Sequence, residues 1–156
     1  MKIGFYAGSF DPFTFGHLKV IEKASVLFDK VIVGIAVNTE KQRRFDKIAM
    51  QNAMNKVFEN YNLKNVECIC YNTLSAEIAK QYNTTFFIRG IRNGSDYDYE
   101  ENLALINQEV SGIDTIYIRA GDLGAVSSSM VYELYKNGKD ISKYAPKEII
   151  DVIKGE

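Results

Sequence analysis

Five short apolar runs punctuate this chain, at 3–7, 31–37, 66–71, 85–88 and 115–118, and each reads as a β-strand. The run at 31–37 is apolar almost without a break, which suits a strand covered on both faces of a parallel sheet. Between the runs the apolar positions recur every three or four residues, the period of a helix with one buried face. Leu18, Val20, Ile21, Ala24, Leu27 and Phe28 mark the first such segment, opened by Gly16-His17. Met50, Ala53, Met54, Val57, Phe58 and Tyr61 mark the second, and Ile78, Ala79 and Tyr82 a short third that Thr73 or Ser75 is placed to cap. A long fourth helix follows Asp96, with Tyr99, Leu103, Ile106 and Val110 on one face. Val131, Leu134 and Tyr135 belong to a fifth, stopped by Gly138. Pro146 suits the first turn of a last helix through Ile149, Ile150 and Ile153.

Strict alternation of strand and helix predicts an α/β fold, a single doubly wound five-stranded parallel sheet with helices on both faces. In such sheets ligands bind beyond the carboxyl ends of the strands, near the switch in strand order. No internal repeat, low-complexity tract or linker divides the sequence, so residues 1–156 read as one domain.

Composition narrows the picture without changing it. The 156 residues are 46% apolar, enough for a real core, and carry a net charge of −1. That balance argues against a nucleic-acid binder relying on bulk electrostatics. The chain enters a strand at once, without a signal peptide, and no apolar run reaches the roughly 20 residues that cross a bilayer. A cytoplasmic protein with no membrane partner is expected. The two cysteines, Cys68 and Cys70, alternate within a strand and so point to one face. Two thiols do not make a zinc site, and reduced core thiols are expected.

The chemistry concentrates at 3–17. There a strand breaks at Gly8-Ser9, again at Asp11-Pro12, and then Gly16-His17 opens a helix. A strand, a glycine turn and a helix N-terminus attract a phosphate through free N–H groups and the helix dipole. His17 is the only histidine. A cation is disfavoured in a first helical turn, but beside a polyphosphate a ring N–H has an acceptor; a capping or solvent-facing histidine is the plain alternative. Basic residues recur after the strands on the same rim: Lys41 after the second, Arg89 and Arg92 after the fourth, with Arg43, Arg44 and Arg119 nearby. Several cations converging on a helix N-terminus suit a ligand with several phosphates. Ser127, Ser128 and Ser129 precede a helix; by themselves they read more readily as a loop than as a site.

Gly8-Ser9-Phe10-Asp11-Pro12 followed by Thr14-Phe15-Gly16-His17 resembles the signature of the nucleotidyltransferase superfamily. The Thr-x-Gly-His form is most similar to that of the phosphopantetheine adenylyltransferases. The stretch Arg89-Gly90-Ile91-Arg92 through Asp96, Tyr97, Asp98, Tyr99, Glu100 and Glu101, and then Val126-Ser127-Ser128-Ser129, match further motifs of that family in the same order. Ala7 stands where the family usually has proline, Ser9 where it often has threonine, and Lys47-Ile48-Ala49-Met50 replaces a Leu-Glu-Glu-Arg stretch. Leu123-Gly124-Ala125 lacks an aromatic that some members carry.

The resemblance implies a Rossmann-like nucleotidyltransferase fold and transfer of the adenylyl group of ATP to 4′-phosphopantetheine, giving dephospho-coenzyme A and pyrophosphate. It implies ATP contacts at Ser9, Phe10, His17, Gly90, Ile91, Arg92, Glu100, Leu123, Gly124, Ala125, Val126, Ser127, Ser128 and Ser129. It implies contacts to the acceptor at Ser9, Lys41, Ser75 and Arg89, with His17, Lys41 and Arg92 in catalytic roles. Mg²⁺ is expected with ATP, coenzyme A as a feedback ligand, and a homohexamer built as a dimer of trimers. The attacking phosphate is already ionised at pH 7, so positioning and charge stabilisation remain for the protein. The chain has neither a G-x-x-x-x-G-K-(S/T) nor a G-x-G-x-x-G stretch, against kinase and dinucleotide readings. Other small adenylyl- or cytidylyltransferases, and a non-catalytic nucleotide-binding module on the same fold, stay open at this point.

Overall fold

A computed structural model describes residues 1–38 and 40–155. Thr39 of the polar loop, the side chain of Ser95 and the terminal Glu156 lie outside the described residues. The chain runs β1 (Ile3–Gly8), α1 (Phe15–Leu27), β2 (Lys30–Ala36), α2 (Lys47–Asn60), β3 (Val66–Tyr71) and α3 (Ser75–Gln81). It continues β4 (Phe86–Ile91), α4 (Gly94–Ser111), β5 (Asp114–Arg119), a single 3-10 turn at Gly121–Leu123, α5 (Ser128–Lys136) and α6 (Lys147–Lys154).

All strand pairs are parallel, in the order β3-β2-β1-β4-β5. The order reverses between β1 and β4, where Tyr6 pairs with Ile88, so the turn after β1 opens at the switch point. Alternate strand residues supply two cores. Tyr6, Val31, Val33, Ile35 and Ile88 pack with α1, α2 and α6 on one face. Phe5, Ile32, Tyr71 and Phe87 pack with α3 on the other. Cys68 and Cys70 share the first face, both free, as the alternation predicts; burial pushes the Cys68 thiol well above its ordinary range. Among the described residues no helix is long and apolar enough to cross a membrane.

Three local expectations are corrected. β4 does not end at Ile88: the ladder to β5 continues through Arg89↔Tyr117, Gly90↔Ile118 and Ile91↔Arg119. Arg89 is therefore a strand residue, tolerated because Glu100 neutralises it. Neither Thr73 nor Ser75 caps α3; Leu74 is the cap residue and makes no side-chain hydrogen bond there. The apolar stripe of α4 turns outward, with Tyr99 64%, Ile106 57% and Val110 53% exposed. Ala104 and Glu100 are buried instead, Glu100 through its pair with Arg89, while Leu103 is half-buried.

Candidate active site

Thr14 caps α1, and His17 occupies the third helical position, where a capping box usually has a glutamate or glutamine. The Thr14 hydroxyl accepts the His17 N–H at 3.3 Å, and the Thr14 N–H donates to His17 Nδ1 at 3.0 Å. A backbone N–H only donates, so Nδ1 carries no proton and the neutral ring keeps its proton on Nε2. The imidazole lies among Phe10, Phe13 and Tyr6, with ring centroids 4.9, 5.6 and 6.4 Å away. Burial, aided by the positive charges of Arg89 and Arg92, lowers its pKa to about 4. The histidine is thus uncharged at pH 7, which removes the conflict with the helix dipole.

Two glycines let the backbone close around this ring. A Cβ on Gly8 would meet the Phe10 ring at 3.1 Å. A Cβ on Gly16 would meet the carbonyl oxygens of Leu123 and Val126 at 3.0 and 3.2 Å, so only glycine lets the turn before α5 lie on the start of α1. That contact brings the serine motif to the histidine. Ser127 caps α5 through the Met130 N–H, and the Ser128 hydroxyl donates to the Pro12 carbonyl at 2.6 Å. The remaining first-turn N–H groups of α5 have no acceptor within the helix.

The result is a cleft of about 260 Å³ at the switch point. Of the residues expected to bind, Ser9, Phe10, His17, Arg89, Gly90, Ile91, Arg92, Glu100, Leu123, Gly124, Val126, Ser127 and Ser128 line it. The ring of Phe10 itself is core, 2% exposed. Lys41, Ser75, Ala125 and Ser129 do not line it. Lys41 is exposed, and its N–H donates to the Asn38 carbonyl. Ser75 lines a second hollow on the same rim, about 440 Å³, between the ends of β2 and β3, and its hydroxyl lies 2.7 Å from the Tyr71 hydroxyl. Ser129 meets Arg44 Nη2 at 3.3 Å.

The arginines do not stand as free cations. Arg89 donates to both carboxylate oxygens of Glu100, at 2.5 and 2.9 Å, and to the Ala7 carbonyl. Arg92 holds Asp96 four residues on, at 2.8 and 3.2 Å, and this hydrogen bonding keeps the Asp96 carboxyl below its usual range. The sequence reading missed Asp96 and Tyr6 as cleft residues. Asp96 stands at i+4 from Arg92, a spacing that signals the pair; Tyr6 follows from strand alternation. Burial raises the Tyr6 pKa to about 12, so its hydroxyl stays protonated.

The cleft therefore combines a neutral histidine donor, a helix N-terminus and two carboxylate-paired arginines, an arrangement suited to oxygen atoms of a polyphosphate.

Comparison with known proteins agrees. The sequence matches the cytidylyltransferase-like family over residues 5–134. It is 41% identical to the phosphopantetheine adenylyltransferase of Streptococcus pneumoniae (strain Taiwan19F-14), covering 99% of this chain and 96% of that protein. It is 36% identical to the phosphopantetheine adenylyltransferase of Porphyromonas gingivalis (strain ATCC BAA-308 / W83), covering 96% and 97%. The fold is similar to a solved Vibrio parahaemolyticus protein assigned as a nicotinate-nucleotide adenylyltransferase, with a TM-score of 0.75, 20% identity, and 99% and 93% of the two chains covered. With identities of this size over nearly its whole length, the chain belongs to the phosphopantetheine adenylyltransferases, within the cytidylyltransferase-like family.

Proposed function

We propose that this enzyme transfers the adenylyl group of ATP to 4′-phosphopantetheine, reversibly, with release of pyrophosphate. The observation that carries the mechanism is the neutral His17 with its Nδ1 occupied by the Thr14 N–H. An oxygen of the acceptor phosphate attacks the α-phosphorus of ATP; that P–O bond forms as the α–β bridging P–O bond breaks. No protein base is required. His17 Nε2–H donates to the α-phosphate as charge builds on its oxygens. Ser9, at the turn after β1, fixes the incoming oxygen. The start of α5 and Arg92 hold the departing phosphates. Arg92 is exposed enough to exchange Asp96 for a phosphate oxygen. Arg89, joined to Glu100 and Ala7, shapes the wall between acceptor and nucleotide.

The second hollow, lined by Val37, Tyr71, Leu74 and Ser75, suits the uncharged arm of the acceptor. Lys41, exposed on the same rim, is the fitting cation for the acceptor phosphate. Mg²⁺ would come bound to the nucleotide. Glu100 is held by Arg89 and a single Asp96 makes no cage for the ion, so phosphate oxygens would be its main ligands, and it would supply neutralising charge to the leaving group. Coenzyme A, which contains the product's framework, is the fitting feedback ligand. Both substrates carry phosphate charges that do not cross bilayers unaided, which supports a cytoplasmic enzyme. The outward stripe of α4 supports self-association, read here as a hexamer.

The test follows pyrophosphate release with ATP, Mg²⁺ and 4′-phosphopantetheine, wild type against His17→Ala. Release should need both substrates and fall on the order of 10²–10³-fold in the variant. Undiminished release in the variant rejects the role of His17. No release from the wild type, with turnover of nicotinate mononucleotide or a polyol phosphate, replaces the acceptor.

A further inference from the structure

Arg43 stands outside every motif and outside the cleft, yet its side chain holds the first residues of the turn after β1, while Arg44 and Ser128 hold the Asp11 and Pro12 carbonyls further along. Its Nη1 donates to the Ser9 carbonyl at 2.6 Å, and its Nη2 approaches the Phe10 carbonyl at 3.4 Å. Its Nε donates to the Phe45 carbonyl at 2.9 Å, and Asp11 pairs with it at 3.6 Å. The side chains of both Arg43 and Asp11 are only 14% exposed. Asp11 completes the strap by accepting the Arg44 and Phe45 N–H groups at 2.8 and 3.0 Å.

What the strap holds is not a relaxed turn. Phe10 has φ +46°, a left-handed conformation that residues with a Cβ avoid. Its ring is wedged against His17 on one side and Tyr6 on another. In a planar trans peptide the N–H points opposite the carbonyl. A Ser9 carbonyl fixed on Arg43 therefore fixes the Phe10 N–H in the opposite direction, and the Phe10 carbonyl does the same for its successor.

We propose that Arg43 is a positioning residue for adenylyl transfer: by clamping the Ser9 and Phe10 carbonyls it sets the turn that carries Ser9 and, through the Phe10 ring, the orientation of His17. This rests on the proposed activity. Its planar fork suits two carbonyls at once, which a lysine ammonium does not reproduce.

The experiment combines steady-state kinetics with the nitrogen-15 spectrum of the sole histidine at pH 7, in wild type, Arg43→Ala and Arg43→Lys. In the wild type the ring should show a protonated Nε2 and an unprotonated, hydrogen-bonded Nδ1. In Arg43→Ala that pattern should blur toward tautomer exchange, while kcat falls about ten- to a hundredfold with the KM for ATP changing less. Arg43→Lys should move the same way, and it provides both readings if the alanine variant does not fold. A kcat within twofold of wild type overturns the proposal. A fall in kcat with the histidine pattern intact also overturns it. The spectrum needs no turnover, so it decides the role of Arg43 even if the wild type proves inactive with this acceptor, which would count against the proposed activity alone.

Discussion

His17 shows how one neighbour decides a side chain's chemistry. Sequence position makes it a cation in an unfavourable place; the Thr14 N–H and the surrounding rings make it a neutral donor. Its depressed pKa has a consequence for stability. Between about pH 6.5 and about pH 4 the unfolded chain binds a proton at this residue and the folded chain does not, so stability falls as pH falls through that window. The full effect is about 3 kcal/mol. Unfolding by urea at pH 7.5, 5.5 and 4.5, wild type against His17→Gln, isolates it from the carboxylates that titrate in both proteins. The stability of the wild type relative to the variant should shrink as the pH falls. A constant difference would mean the ring protonates freely in the folded state.

At the scale of elements, the site is made by α1 meeting the turn before α5. Gly16 is the point of contact, facing two backbone carbonyls that cannot rotate away as a side chain would. Gly16→Ala should therefore forgo the roughly 1 kcal/mol that alanine usually gains over glycine in a helix. It should also raise the KM for ATP about tenfold, because the Ser127–Ser129 segment is pushed from His17. Thermal unfolding and initial rates test both; a stabilised variant with an unchanged KM would show that the turn yields without cost.

At the scale of the molecule, α4 leaves Ile106 and Val110 exposed beside Tyr99 and Leu105. A stripe of this kind, on a helix that already packs on its sheet, is the surface that the proposed assembly would cover. Light scattering after gel filtration should give the wild type a mass several times the 17.7 kDa of one chain. Ile106→Glu with Val110→Glu should give a smaller species with unaltered secondary structure by circular dichroism. A monomeric wild type would remove the assembly from the reading.

The order of strands and helices was legible in the sequence because it rests on local terms: apolar period, capping and turn residues. The turn after β1 was legible for the same reason, whereas the serine motif and His17 stood out only through their resemblance to family motifs, because alone they read also as a loop and a capping residue. The first helix, expected to open at Gly16-His17, opens at Phe15 because the Thr14 side chain reaches its own backbone, and Ser127 caps α5 in the same way. What depended on tertiary structure joins residues far apart in the chain. Arg43 finds Ser9 across 34 positions, and Gly16 finds Leu123 and Val126. Arg89, expected past a strand end, sits within one because the ladder to β5 carries it there and Glu100 takes its charge. Lys41 carries the same kind of charge on the same rim and stays outside the cleft, exposed, with its N–H on the Asn38 carbonyl. The stripe of α4 has a helical period whichever way it faces. Periodicity specifies that a face exists; tertiary packing, which buries Ala104 and Glu100, decides which face is covered.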